Sequence, residues 1–256
     1  MNYRICIASY KRHKELGEKT LKTLDKFNID KSIIDIFVAD KEEYDLYKPL
    51  YPDYNIIIGI KGLLEIRNFI TDYYEEGQYI VSFDDDITDI KMKNPKEWEQ
   101  SSLCEINDYP ETSLSKEIEL GFKECQDNNT ILWGIFPCDN SMMMKNKIST
   151  HLLFCGGWMW GCIIDKECLK LNIDQYDDYE RTIKVFKKYG KVVRLNYLCC
   201  KTKYNKNKGG ACGPERIERC KTCIEKLVNM YPDNVKLLDK KASITGKNPR
   251  LFHRKN

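Results

Sequence analysis

Apolar residues in the first 90 positions fall in short runs separated by amphipathic stretches. "YRICIAS" (Tyr3–Ser9), "SIIDIFVAD" (Ser32–Asp40), "YNIIIGI" (Tyr54–Ile60) and "QYIVSF" (Gln78–Phe83) are short, mostly apolar runs, the pattern of buried strands. Between them, "KRHKELGEKTLKTLDKF" places Leu16, Thr20, Leu24 and Phe27 near one helical face. "KEEYDLYKPLY" predicts a short helix ended by Pro49 and Pro52, and "LLEIRNFITDYY" a helix following Gly62. Strands joined by helical crossovers predict a mostly parallel, covered sheet. The fold class is therefore α/β, Rossmann-like, with flanking helices and a single domain over residues 1–256. Residues 1–92 form one half of it and 93–256 an elaborated second half.

The second half is less regular. "KNPKEWEQSSLCEINDYPETS" (Lys93–Ser113) reads as a loop or lid. A helix is predicted over Leu114–Gln126 and a strand at "TILWGIF". "HLLFCGGWMWGCIID" (His151–Asp165) is two apolar runs broken by Gly156 and Gly157. "DDYERTIKVFKKYG" predicts an amphipathic helix closed by Gly190, with "KVVRLNYLCC" as the next strand. A basic, Gly-rich loop then precedes a helix from about Glu215 to Met230.

Ligands of such sheets bind at the carboxyl ends of the strands. Three polar features collect there: "ASYKR" after the first strand, Asp40 after the second, and "FDDDI" after the fourth. Asp84, Asp85 and Asp86 repel one another, so they require a divalent cation, Lys or Arg partners, or shifted pKa values. Oxygen ligands without paired Cys or His suit a hard ion, Mn²⁺ or Mg²⁺. The bland alternative is an exposed acidic turn. Arg67, on the helix before the triplet, can hold a phosphate or the triplet itself.

Composition adds three constraints. No apolar run approaches the roughly 18 residues that span a bilayer, and the N-terminus lacks the pattern of a signal peptide. The chain is expected to be cytoplasmic, and its 12 cysteines reduced. Cys220 and Cys223 have CxxC spacing without a matching second pair, so structural zinc and buried thiols both stay open. Richness in Lys, Asn, Ile and Tyr points to an AT-rich genome, such as a viral one. The chain holds 42 Lys and Arg and 39 Asp and Glu. Residues 181–256 carry 21 of the basic and 5 of the acidic groups, about +16, leaving about −13 on the rest. A surface of that sign attracts polyanions, or is merely well solvated.

In order and spacing, "ICIASYKR", "IFVAD", "KGLLEIRNFI" and "IVSFDDDI" resemble the GT-A glycosyltransferases, most closely the TET/JBP-associated glycosyltransferases, relatives of the base J glucosyltransferase. The resemblance extends through "DDYERTIKVFKKYGKVVRLN" and "TKYNKNKGG" and so covers most of the chain. It implies transfer of a sugar from a nucleotide-sugar, a UDP-hexose by family habit, to a hydroxyl. For the associated family that hydroxyl is expected on a hydroxymethyl pyrimidine in DNA. It implies donor-binding roles for Ser9, Arg12, Asp40, Lys61, Arg67, Asp84 and Asp85. Asp84 and Asp86 become metal ligands, with His253 the candidate histidine ligand and His151 the runner-up. Asp85 could substitute for either neighbouring aspartate.

An inverting enzyme of this kind needs a base at the start of an acceptor-side helix. Asp178 in "QYDDYERT" matches it, Asp177 being next; acids at a helix start are also ordinary caps. Glu180 is expected on another face, within reach of Lys184 at i+4. Gly157, Trp158 and Tyr204 are the acceptor-binding candidates: glycine permits close backbone approach, and aromatic rings stack on sugars or bases. Two alternatives remain open, the same chemistry on a glycan or protein, and a non-catalytic nucleic-acid-binding module on this fold.

Overall fold

The structure, a computed structural model, describes residues 1–96, 102–202, 215–239, 243 and 245–253. The N-terminal half alternates as its pattern predicts. Strand β1 is Tyr3–Ala8, followed by helix α1 (His13–Leu16), a π-helical turn over Gly17–Leu21, and α2 (Lys22–Lys26). Then come β2 (Ile34–Val38), α3 (Lys41–Tyr47), β3 (Asn55–Ile58), α4 (Leu63–Tyr73) and β4 (Tyr79–Phe83). All five residues of β2 are buried, as expected of a strand covered on both faces.

The second half supplies β5 (Ile87–Lys93), β6 (Leu103–Glu105), α5 (Leu114–Asp127), β7 (Leu132–Phe136), β8 (Ile148–Ser149) and β9 (Met159–Ile163). It continues with α6 (Lys166–Leu169), α7 (Asp177–Tyr189), β10 (Val193–Thr202) and α8 (Arg216–Met230), and ends in β11 (Val235–Asp239) and β12 (Lys247–Leu251). Ser113 caps α5 by accepting from the Lys116 amide, and Gly190 closes α7 in the left-handed conformation at φ 75°.

One sheet takes strands from both halves, in the order β3-β2-β1-β4-β9-β7-β10-β5-β6, with β8 added on β10. The block β3-β2-β1-β4 is entirely parallel. Strand β9 enters antiparallel between β4 and β7, and β10 runs parallel to β7. The chain leaves β1 toward β2 on one side and returns as β4 on the other. The crevice outside the carboxyl ends of β1 and β4 is therefore a topological switch point, where open α/β sheets bind ligands. Strand β9 runs the other way, so its start, at Trp158 and Met159, reaches the same crevice.

Several expectations change. "ITDIKMK", directly after the acidic triplet and assigned no element from the sequence, is β5, paired antiparallel with β10. Ile87, Ile90 and Met92 fill the core from it, a signal masked by the charges around them. The expected lid Lys93–Ser113 contains β6 and a 3₁₀ turn over Ile106–Asp108. The first apolar run of His151–Asp165 forms no strand, and β11 and β12 carry no alternation strong enough to predict. Tyr204 lies outside the described residues. No helix among those described is long and apolar enough to cross a membrane.

Candidate active site

The end of β1 turns sharply. Lys11 sits at φ 56°, in the left-handed region that non-glycine residues seldom occupy, and its amide donates to Glu43 Oε2 at 2.8 Å. That turn throws Arg12 back across the crevice. Arg12 donates to Asp85 Oδ1 at 2.6 Å and reaches Asp86 Oδ2 at 3.4 Å. Ser9 Oγ donates to Asp85 Oδ2 at 2.7 Å and shares a 2.8 Å contact with the Tyr47 hydroxyl. Asp85 is thus the buried member of the triplet, its two oxygens engaged by two residues from the end of β1. Its surroundings differ from those of its two neighbours.

Asp84 and Asp86 remain at the crevice. The Asp84 amide donates to the Trp158 carbonyl at 2.9 Å, and its own carbonyl accepts from Thr20 Oγ1 at 2.7 Å. The same Thr20 oxygen accepts from the Ile87 amide at 3.0 Å, so one hydroxyl bridges both ends of the triplet. Thr20 belongs to the π-helical turn, a distortion that often marks functional sites. Asp86 Oδ1 accepts from Thr202 at the end of β10, 3.2 Å away. Arg67 of α4 approaches Asp84 Oδ1 at 3.5 Å and Asp177 Oδ2 at 3.5 Å.

Helix α7 begins on the opposite wall. Asp178 Oδ2 accepts from the Gly157 amide at 2.8 Å, and Oδ1 from Arg181 at 2.7 Å. Arg181 also donates to Asp177 Oδ2 at 3.1 Å, and its guanidinium lies 3.8 Å from the centre of the Trp160 ring. Gly157 has φ 79°, which favours glycine, and the loop Gly156–Trp158 brings its amide to Asp178. A continuous chain of alternating charge results, Asp84–Arg67–Asp177–Arg181–Asp178.

Asp84, Asp85, Asp86, Asp177 and Asp178 lie among the guanidinium groups of Arg12, Arg67 and Arg181. Burial, opposed by Arg67 but reinforced by Asp178, Asp86 and Asp85, pushes the Asp84 carboxyl up to about 7. Asp177 is also raised, by burial first and the charge of Asp178 second. Burial acts to lower the Arg67 pKa, but Asp177, Asp84 and Asp178 outweigh it and drive it up.

Mn²⁺ or Mg²⁺ fits this donor set. Asp84 and Asp86 offer oxygen ligands only, and Asp84 keeps 35% of its side-chain exposure. No three His, Cys, Asp or Glu side chains among the described residues form a metal cage. A hard ion completed by waters and substrate phosphates needs only one or two carboxylates.

Other predicted residues fall as follows. Asp40 caps α3, accepting from the Glu43 amide at 2.9 Å, and Lys61 is exposed with its ammonium 5.7 Å from the centre of the Tyr10 ring. Both stand at strand ends beside the crevice. Arg67 is turned to Asp84 and Asp177, with 13% of its side chain exposed. Trp158 is half-buried at the crevice, whereas Trp160 is buried beneath Arg181. His253 is not brought to the triplet: its ring packs 5.1 Å from that of Phe186, two turns along α7 from Asp178. His151 lies near Arg194 and Lys147, which with burial lower its pKa.

Glu180 corrects the sequence expectation. It is fully buried, accepting from the Asn172 amide at 2.8 Å, Asn172 Nδ2 at 2.6 Å, the Ile173 amide at 3.1 Å and the Tyr231 hydroxyl at 3.4 Å. Lys184 instead donates to the Lys170 carbonyl. Cys220 and Cys223 are buried thiols facing Gln175 and Asp174 at 3.5 and 3.0 Å. Arg181 was legible at i+3 and i+4 from the two aspartates of α7. Thr20, Glu43 and Thr202 carried no sequence signal, because their partners lie far along the chain.

No protein-family model matches the chain, and no curated protein sequence matches it. Among solved structures, a mycobacterial protein superimposes with a TM-score of 0.54 at 9% identity, over 98% of this chain and 84% of that one. A Desulfovibrio desulfuricans G20 protein, assigned as a nucleotide-diphospho-sugar transferase, gives a TM-score of 0.40 at 16% identity, over 90% of this chain and 99% of that one. The first likeness establishes the fold alone.

Proposed function

We propose that the chain is a metal-dependent glycosyltransferase. It moves a sugar from a nucleotide-sugar, a UDP-hexose, to the hydroxyl of a hydroxymethyl pyrimidine in DNA, with inversion. The observation that carries this reading is the placement of two carboxylate sets in one crevice. Asp84 and Asp86 lie at the end of β4, Asp178 opposes them at the start of α7, and Arg67 and Asp177 stand between. The first set could hold a divalent ion, and the second can take a proton.

The residues divide the work. Ser9 and Arg12 fix Asp85, which sets the backbone turn that presents Asp84 and Asp86. Asp84 and Asp86 would hold the divalent ion, which when bound offsets the charge developing on the departing diphosphate. Asp40 and Lys61 stand where the base and ribose of a donor would enter. Each Asp178 oxygen accepts one hydrogen bond in the structure, so each keeps a further lone pair for an acceptor hydroxyl. Asp178 removes the acceptor proton as the acceptor hydroxyl oxygen bonds to the anomeric carbon. The bond from that carbon to the diphosphate oxygen breaks, and the nucleoside diphosphate leaves with the bonding pair. Gly157 and Arg181 hold the base in place, and Trp158 offers a half-buried ring to sugar or base.

The test incubates the protein and Mn²⁺ with a panel of nucleotide-sugars and follows donor hydrolysis. Hydroxymethyl-pyrimidine DNA, unmodified DNA and free sugars are then added in parallel. Transfer to the modified DNA alone is the expected result. Transfer to free sugar with no DNA binding at low salt gives the acceptor to glycans instead. No hydrolysis of any donor, with DNA still bound, leaves a binding module.

A further inference from the structure

Four buried or half-buried arginines of this fold meet carboxylates: Arg4 with Asp35, Arg12 with Asp85, Arg67 with Asp84 and Asp177, Arg181 with Asp177 and Asp178. Arg194 of β10 departs from that pattern. It is half-buried, its Nε donates to Asn196 Oδ1 at 2.8 Å, and its guanidinium lies 5.3 Å from the centre of the Phe136 ring. Among the described residues it makes no ion pair with a carboxylate. Burial lowers its pKa, and no Asp or Glu opposes that shift. A guanidinium oriented by an amide and a ring, with its charge unmatched, is prepared for an anion from outside.

Two further cations share the place. Strand β8 pairs antiparallel with β10, Ser149 opposite Arg194. Side chains alternate along a strand, so Lys147 falls on the face of Ser149, Arg194 and Asn196. Asn196 fixes that arrangement: its Nδ2 donates to the Lys147 carbonyl at 3.0 Å and to Ser149 Oγ at 2.9 Å. His151 follows two residues later, exposed, and feels both positive charges. Neither Lys147 nor His151 has an ion-pair partner among the described residues.

The position relates this face to the crevice. Arg194 pairs with Gly134 of β7, and Gly134 with Trp160 of β9. Two strand spacings, about 10 Å, thus separate Arg194 from the tryptophan that carries Arg181. The chain from His151 runs over Gly134 at Cys155 and ends with the Gly157 amide on Asp178.

We infer that Arg194, Lys147 and His151 form an anion subsite that takes a backbone phosphodiester of a nucleic-acid acceptor whose reacting hydroxyl lies at Asp178. The inference rests on the acceptor reading above and names the contact that would position that acceptor. A phosphodiester is favoured because the cations spread along two paired strands rather than closing around one group. Arg194 also belongs to the segment 181–256 with its charge of about +16.

The test needs neither donor nor turnover, so its failure and the failure of the transferase reading are separable. The His151 imidazole is followed by proton NMR through a pH titration of the intact chain. The titration is run alone, with inorganic phosphate, and with a short single-stranded oligodeoxynucleotide. The chain has three histidines, and His151→Gln assigns the signal. Burial first, then Arg194 and Lys147, hold the His151 midpoint down, and the oligonucleotide should move it upward because its charge offsets those two cations. Lys147→Glu, a change at an exposed position, should abolish that movement. It should also reduce the slope of log affinity against log salt by about one. Arg194→Gln should abolish the movement as well. A midpoint unmoved by either probe, or moved equally in Lys147→Glu, overturns the subsite. Movement with inorganic phosphate alone overturns its assignment to a phosphodiester.

Discussion

Gly156 lies so close to Asp178 that a Cβ on it would stand 2.4 Å from both Cβ and Cγ of the aspartate. Real Cβ atoms do not approach that closely, so the loop and the carboxylate exclude any larger residue at 156. Gly156→Ala should therefore push Asp178 from its contacts with Gly157 and Arg181. Transfer should fall roughly 10²-fold or more while donor binding, measured by calorimetry, persists. Normal transfer by Gly156→Ala would mean that the position of Asp178 does not matter to the reaction.

Asp178→Asn keeps the shape of the side chain and removes the base. Transfer should drop roughly 10²–10⁴-fold with donor affinity retained. Asp177→Asn is the comparison, since Asp177 is held between Arg67 and Arg181. If Asp177→Asn loses transfer and Asp178→Asn does not, the base is the neighbouring residue.

Removing a metal ligand should separate activity from folding. Asp86→Ala should abolish metal-dependent turnover while the circular dichroism spectrum stays native. In the unaltered chain, excess EDTA should stop turnover and added Mn²⁺ restore it. Full activity in EDTA would dismiss the metal.

The raised carboxyl of Asp84 gives stability a pH dependence in metal-free solution. Its pKa climbs from 3.8 to about 7 on folding, so between those values the folded chain binds more protons than the unfolded one. Stability from this group is complete below about pH 4 and falls as pH rises toward 7. Asp84→Asn removes the loss and should raise Tm at pH 8 by a few degrees, with little change at pH 4. The shift is modest because a third-exposed carboxylate is partly screened by solvent. Thermal scans in chelator at both pH values measure it, and equal Tm differences at the two would contradict it.

Glu180 should matter to stability rather than to chemistry. Its oxygens take four donors from Asn172, Ile173 and Tyr231 in a fully buried place. Glu180→Gln sets an amide NH₂ against some of those donors and should cost about 2–3 kcal/mol. Urea denaturation reads the cost, and an unchanged midpoint would argue that the network contributes nothing.

The sequence by itself determined the alternation of β1 through β4 with their helices, and hence the α/β class. Buried parallel strands are local runs of Ile, Val and Phe, and an amphipathic helix is a local period. It also marked Ser9, Arg12 and Asp84–Asp86, because polar residues after such runs fall at strand ends, whereas Asp177–Asp178 came through the resemblance. Only the tertiary structure decided their partners. Asp85 turned inward because the left-handed turn at Lys11 delivers Arg12 to it, an encounter across 73 residues. Glu180 was buried rather than paired with Lys184, because the segment at Asn172 folds back on α7. His253 went to Phe186 and not to the triplet. Strand β5 was hidden because its pairing with β10 spans more than a hundred residues, and charges obscure its alternation. Local periodicity is written in neighbouring residues, whereas the partner of a charge is set by long-range strand order, which no local pattern encodes.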